Sequence, residues 1–254
     1  DTIVSALGNA SVYITTFNSA GEDGNITVNA DITYTGSTDR VFQLVAADKI
    51  IVNKNIKSTG SGSLNIYFNA QGDVTVGSGS APNVQIVTQG GRFDVTGAND
   101  DGQGVMGDKA PGAGSFTSHT DSLIDTSGKD NGAGGLVKIL ADIRNPGSGN
   151  TTGNITIGGD ITTSGGTVTS SGAGKAGGAV DFAVIDASST ISVSANADIV
   201  TTGSSAHTSG AGGAGGAVTF QDDSLSTAAT SITLNDTLIN TSGGAALGGG
   251  NSVG

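Results

Sequence analysis

The chain has no cysteine, which excludes a disulfide scaffold, a thiolate metal site and thiol chemistry. Three prolines are too few for collagen or a proline-rich linker. Charged residues are 13%, about half the usual share of roughly 25%, so the high charge that favours disorder is missing. No apolar run reaches the roughly 18 residues that a membrane-spanning helix needs. Basic residues are 10 against 22 acids, a formal charge of −12. Such a surface repels phosphate backbones and anionic headgroups, setting aside nucleic-acid partners and membrane insertion of this segment.

What the chain has instead is glycine, 44 of 254 residues, more than twice the usual share of roughly 7%. Between the glycines stand short β-branched runs that repeat. One component is a strand that follows glycine, as in "GGLVKILA" (134–141), "GGAVDFAV" (177–184) and "GGAVTFQD" (215–222). The same component is read in "RVFQLVAA" (40–47), "SLNIYFNA" (63–70) and "NVQIVTQG" (83–90). The other component is a refrain whose clearest copy is "GNITIGGDITTSGG" (153–166). Further copies are "GNITVNADITYTGS" (24–37), "DKIIVNKNIKSTGS" (48–61), "GDVTVGSGS" (72–80), "GRFDVTG" (91–97), "TISVSANADIVTTGS" (190–204) and "SITLNDTLINTSGG" (231–244), with a partial copy at 115–128.

Ile26, Ile50 and Val74 are spaced by 24 residues, whereas Ile155 to Ile191 is 36 and Ile191 to Ile232 is 41. The excess falls in glycine-rich stretches, 165–178, 203–216 and the long insertion 97–114, as expected of loops at one corner of a stacked array. Each unit offers about three short β segments with apolar residues at every second position. Asn-Gly and Asp-Gly turns do not recur at equivalent places, so a hairpin meander fits poorly. The expectation is all-β: a right-handed parallel β-helix of about seven to eight coils, roughly 35–40 Å long. A β-sandwich of similar strands is the competing arrangement. One inward column would contain Ile26, Ile50, Val74, Ile155, Ile191 and Ile232; a second, Ile32, Ile56, Ile161, Ile199 and Ile239. The glycine-rich corners are expected to tolerate deletion. The whole of 1–254 reads as one β-helix segment, a fragment of a longer exported protein.

The refrain, its glycine-rich follow-on and the "GG-A-V-x-F" strand resemble the passenger rods of filamentous-haemagglutinin-like bacterial exoproteins, the large adhesins of two-partner secretion. The resemblance runs from about residue 11 to the end and is most specific in 153–244. It implies a right-handed β-helix, export to the cell surface or medium, and a role in attachment. The partners so implied are host-cell or surface glycans and proteins, or neighbouring coils of the same parent protein.

Some β-helices are enzymes, and a carbohydrate-active lyase or hydrolase would need clustered carboxylates beside a basic residue. The best such group is Arg92, Asp94, Asp100 and Asp101, with a cleft near 92–116; a solvated loop is the plainer reading. Asp94, Asp100 and Asp101 are also the candidate ligands for a structural calcium ion, the one cofactor considered, since "ANDDGQG" (98–104) sets acids beside glycine. His119 and His207 are isolated. A threonine face including Thr33/Thr35, Thr162/Thr163 and Thr201/Thr202 raises ice or carbohydrate contact, but Lys57/Ser58 and Asn240/Thr241 break that ladder. The favoured expectation is a non-catalytic adhesive rod that makes contact through its corner loops. The alternatives are the enzyme, or a filament subunit that stacks through exposed coils at both ends.

Overall fold

The computed structural model describes residues 2–16, 24–95, 114–141, 153–184, 189–222 and 231–248. A short helix, α1 (Thr2–Asn9), precedes the first coil, which consists of β1 (Val12–Thr15), β2 (Ile26–Val28) and β3 (Ile32–Tyr34). The second coil is β4 (Arg40–Ala46), β5 (Ile50–Val52) and β6 (Ile56–Ser58); the third is β7 (Leu64–Ala70), β8 (Val74–Val76) and β9 (Gln85–Val87). The fourth is β10 (Phe93–Val95), β11 (Phe116–Ser118) and β12 (Leu123–Asp125); the fifth, β13 (Val137–Ala141), β14 (Ile155–Ile157) and β15 (Asp160–Thr162). The sixth is β16 (Val180–Val184), β17 (Thr190–Val193) and β18 (Ile199–Val200), and the seventh β19 (Val218–Asp222), β20 (Ser231–Leu234) and β21 (Ile239–Asn240).

Every third strand pairs in parallel with its equivalent one coil away. The result is three sheets of seven described strands each: sheet A from β1 to β19, sheet B from β2 to β20 and sheet C from β3 to β21. This is a right-handed parallel β-helix of seven coils. A sandwich would instead need antiparallel pairs across two sheets.

The inward columns form because period-2 alternation turns the first and third residues of a three-residue strand into the rod, as with Ile50 and Val52 or Ile155 and Ile157. On sheet B the register runs Ile26, Ile50, Val74, Phe116, Ile155, Ile191 and Ile232. On sheet C it runs Ile32, Ile56, Ile86, Ile124, Ile161, Ile199 and Ile239. Phe116, Ile86 and Ile124 thus fill the places that the expected columns left open. Burying each such side chain contributes roughly 1.5–3 kcal/mol, except in the seventh coil, where Ile232 is exposed and Ile239 half-buried. Phe68, Phe93 and Phe116 add an edge-to-face chain through the middle coils, with centroids 5.4 and 6.3 Å apart.

Two segments exchange roles relative to the sequence reading. "NVQIVTQG" supplies β9 of sheet C, the second half of a refrain, while "GRFDVTG" supplies β10 of sheet A. The cause is the third B–C corner, which lengthens over 77–84 around a small antiparallel bridge between Ser78 and Ala81. The displaced Ile86 still continues the Ile56 column. The partial copy at 115–128 is a full one, carrying β11 and β12.

The long stretch 97–114 follows sheet A, between β10 and β11, whereas 165–178 and 203–216 follow sheet C. With the B–C corner at 77–84, length variation therefore occupies all three corners. The glycine-rich C–A stretches of the fifth and sixth coils are packed elements. Gly174, Gly177 and Val180 donate their N–H groups to the carbonyls of Ala211, Ala214 and Ala217 at 2.8, 2.9 and 2.8 Å. That three-residue period is the period of a polyproline II helix. The outgoing arm keeps strand-like pairing, Gly165 N–H to Thr202 O and Gly203 N–H to Ser242 O. Backbones lie so close that a Cβ on Gly177 would stand 2.0 Å from Thr201 O, and on Gly215 1.8 Å from Thr241 O. The expectation that glycine-rich corners tolerate deletion is at odds with this packing at 165–178 and 203–216.

The two ends differ. Leu7 of α1 is fully buried in the core cluster, and Ile3 and Val4 pack against it. Arg40 Nε and Nη2 donate to the carbonyls of Leu7 and Asn9, each at 3.2 Å, satisfying helix C-terminal acceptors that have no partner within the helix. The expectation of exposed coils at both ends therefore fails at the N-terminal end. At the opposite end Ile232, Leu234 and Leu238 are exposed.

Candidate functional site

The described sequence-derived candidates, Arg92 and Asp94, lie at the outer face of sheet A. There the register aligns Gln43, Tyr67, Asp94, Lys138 and Asp181 along the rod. Arg92 Nη2 donates to Asp94 Oδ2, and the two side chains are 21% and 1% exposed. The Arg92 guanidinium also lies 5.5 Å from the Tyr67 ring centroid, a cation–π contact. Its backbone N–H donates to Asn65 Oδ1 at 3.0 Å. One Asp94 oxygen is thus committed to a basic neighbour, in a group with almost no solvent access. Asp100 and Asp101, the other calcium candidates, lie outside the described residues, as does all but the last residue of 97–114. Among the described residues no three His, Cys, Asp or Glu side chains come together as a metal site. His119 stands 3.9 Å from Asp121, and His207 sits on the distant C–A corner of the sixth coil.

The acids have a use that the sequence reading missed. Asp31, Asp39, Asp73, Asp160 and Asp198 each accept, through Oδ1, a backbone N–H from the next coil. Asn25, Asn55, Asn65 and Asn154 do the same. The signal was legible, because most of these residues stand immediately before a strand: Asn25-Ile26, Asp31-Ile32, Asp73-Val74, Asp198-Ile199. There the side chain continues the inter-coil ladder around a corner that the backbone alone leaves unpaired.

Threonine is also divided in a way that spacing did not reveal. Thr163 and Thr201, assigned to an outer face, are buried and donate through Oγ1 to the carbonyls of Gly178 and Gly216 at 2.6 and 2.7 Å. Ser58, Thr88 and Thr126 make the equivalent bond to Gly62, Gly91 and Gly135. This buried hydroxyl file ties the two arms of the second to sixth C–A corners. The outward threonine file is on sheet B, through Thr27, Ile51, Thr75, Thr117, Thr156, Ser192 and Thr233.

Changes in corner length leave steps on the rod, and the steps make clefts. Where the long fourth C–A corner (126–136) overhangs the short ones at 35–39, 59–63 and 88–92, a cleft of about 510 Å³ opens. It is lined by Asp39, Ser61, Ser63, Gln89, Lys129 and Asp130, with backbone of Gly90 and Gly132. A second, of about 530 Å³, lies where the corner at 77–84 overhangs 53–55, among Asp31, Asn53, Lys54 and Asn83. Neither cleft contains a residue of the expected Arg92–Asp94 group. No family model, curated protein or solved structure matches the chain.

Proposed function

We propose that the chain is a structural and adhesive rod segment of a secreted or cell-surface bacterial exoprotein. Its partners are host-cell or surface glycans and proteins, or neighbouring coils of its parent protein. The observation that carries this reading is the division of labour within each coil. Three short strands repeat in strict register through all seven coils, while corner length changes from coil to coil. A scaffold of this kind holds varied corners at fixed spacing along one axis, which suits multivalent contact. The resemblance of the refrain to haemagglutinin-like rods points the same way, and the burial of Asp94 beneath Arg92 favours a structural ion pair over an exposed catalytic acid.

The test has two arms. Beads coated with the protein are expected to attach to host cells or matrix, and a panel of acidic and neutral polysaccharides is expected to remain intact. Release of oligosaccharide products that disappears in an Asp94→Asn or Asp101→Asn variant would overturn the non-catalytic reading.

A further inference from the structure

We propose that the step cleft between the third and fourth C–A corners binds a neutral saccharide. The inference rests on the adhesive reading above and gives it a place and a ligand class.

The cleft's volume, about 510 Å³, falls within the roughly 300–1,000 Å³ of small-molecule sites. Its lining differs from the usual apolar one. It offers two carboxylates, an ammonium, a carboxamide and two hydroxyls, with no aromatic or large aliphatic side chain. A ligand that leaves such groups unpaired loses affinity, so the occupant must carry many hydroxyls that both donate and accept. Asp39 uses Oδ1 on the Ser63 N–H at 2.8 Å; its second oxygen has no partner among the described residues. Lys129 reaches back over the third corner to donate to Gly60 O at 2.6 Å, which fixes its ammonium in the wall and leaves further N–H groups to donate.

Gln89 marks the site independently. Its Oε1 is shut off from solvent and has no hydrogen-bond partner among the described residues, so a ligand meets it only when the side chain turns toward the cleft. Its backbone has φ +55, and the other described non-glycine residues with positive φ are all Asn or Asp, the types that tolerate this region. The chain therefore keeps a strained residue with a longer amide where a shorter one would fit the backbone better. Such strain concentrates where a side chain is needed for contact. Two acids against one lysine, within a chain of net charge −12, disfavour sialylated, sulfated or uronate-bearing ligands.

The test uses the whole ¹⁵N-labelled chain, titrated with neutral disaccharides and with sialylated counterparts while amide shifts are followed. An open cleft predicts weak binding, with Kd on the order of 1 mM. Shifts are expected at Ser63, Gln89, Gly90 and Gly132 with the neutral ligands. Gln89→Asn relieves the backbone but shortens the reach, and Asp130→Ala removes an exposed carboxylate. Each is expected to weaken binding about tenfold or more without lowering the thermal midpoint. Absence of shifts with every neutral saccharide, shifts confined to other coils, unchanged affinity in both variants, or preference for the sialylated ligands would each overturn the proposal. Coated beads separate it from the reading beneath it. Attachment to cells that is indifferent to both variants overturns the cleft and leaves the adhesive rod; saccharide binding without any attachment supports the cleft and overturns the rod.

Discussion

Gly177→Ala is a substitution whose effect should reverse the usual sign. An alanine in place of glycine, where the backbone permits it, ordinarily stabilises by about 0.4–1 kcal/mol through the unfolded chain. Gly177 does not have positive φ, so the backbone angle raises no objection. The added Cβ, however, would stand 2.0 Å from Thr201 O and 2.6 Å from its carbonyl carbon. Both are backbone atoms of the neighbouring coil, and no rotamer moves them aside. Relief requires the fifth-to-sixth and sixth-to-seventh corners to part, at the expense of Gly177 N–H to Ala214 O and Gly216 N–H to Thr201 O. Two such bonds at about 0.5–1.5 kcal/mol each, with overpacking of about 1–3 kcal/mol, give a loss of roughly 2–5 kcal/mol. Gly79→Ala is the control, because nothing lies within 4 Å of its Cβ position. Urea unfolding followed by far-UV circular dichroism, with hydrogen exchange at Thr201, Gly203 and Gly216, would measure both. Exchange matters because stacked repeats can open locally. Equal stability of the two variants would refute the view of these corners as packed elements.

Further outcomes follow from the columns and ladders. Ile56→Asp places a carboxylate at a fully buried position between Ile32 and Ile86. It should cost more than about 4 kcal/mol, visible as loss of the cooperative transition in urea. Thr163→Val keeps shape but leaves Gly178 O without its hydroxyl donor. A loss of about 1–3 kcal/mol is expected, and a thermal midpoint equal to that of the parent chain would contradict the buried hydroxyl file. Asp160→Ala removes the acceptor of the Asp198 N–H, whereas Asp160→Asn keeps it. A loss near 1 kcal/mol in the first variant alone separates the ladder role from a general charge effect, with chemical denaturation as the readout.

Much of the architecture could be read before any coordinates, and the reason is local. A three-residue strand that alternates inward and outward needs one apolar residue in the right place. Ile26, Ile50, Ile155 and Ile191 declare those places by sequence spacing alone. Coil number follows from counting them, and parallel stacking follows from the absence of a recurrent tight turn. The Arg92–Asp94 pair was also legible as neighbours on one strand approach. The direction of their chemistry was not: burial of Asp94 at 1% exposure depends on what lies across the outer face, which spacing does not encode.

Other features required the third dimension. Whether Gln85–Val87 or Phe93–Val95 continues a refrain depends on which column each reaches after the corner at 77–84, and both segments look alike in isolation. Thr162 and Thr163 are adjacent and chemically identical, yet one faces solvent and the other closes a corner by bonding Gly178 O. Glycine in "AGKAGGAV" is equally ambiguous, since composition cannot tell a solvated loop from backbone packed at contact distance. The sequence by itself determined the repeat, the inward columns and the acidic, cysteine-free surface, because each rests on residue type and on near-neighbour spacing along the chain. Only the tertiary structure decided which corners are dense, which hydroxyls are inside and where corners of unequal length leave a cleft. Those outcomes depend on contacts between residues a coil or more apart, such as Lys129 with Gly60, whose distance in space is set by how the intervening coils stack.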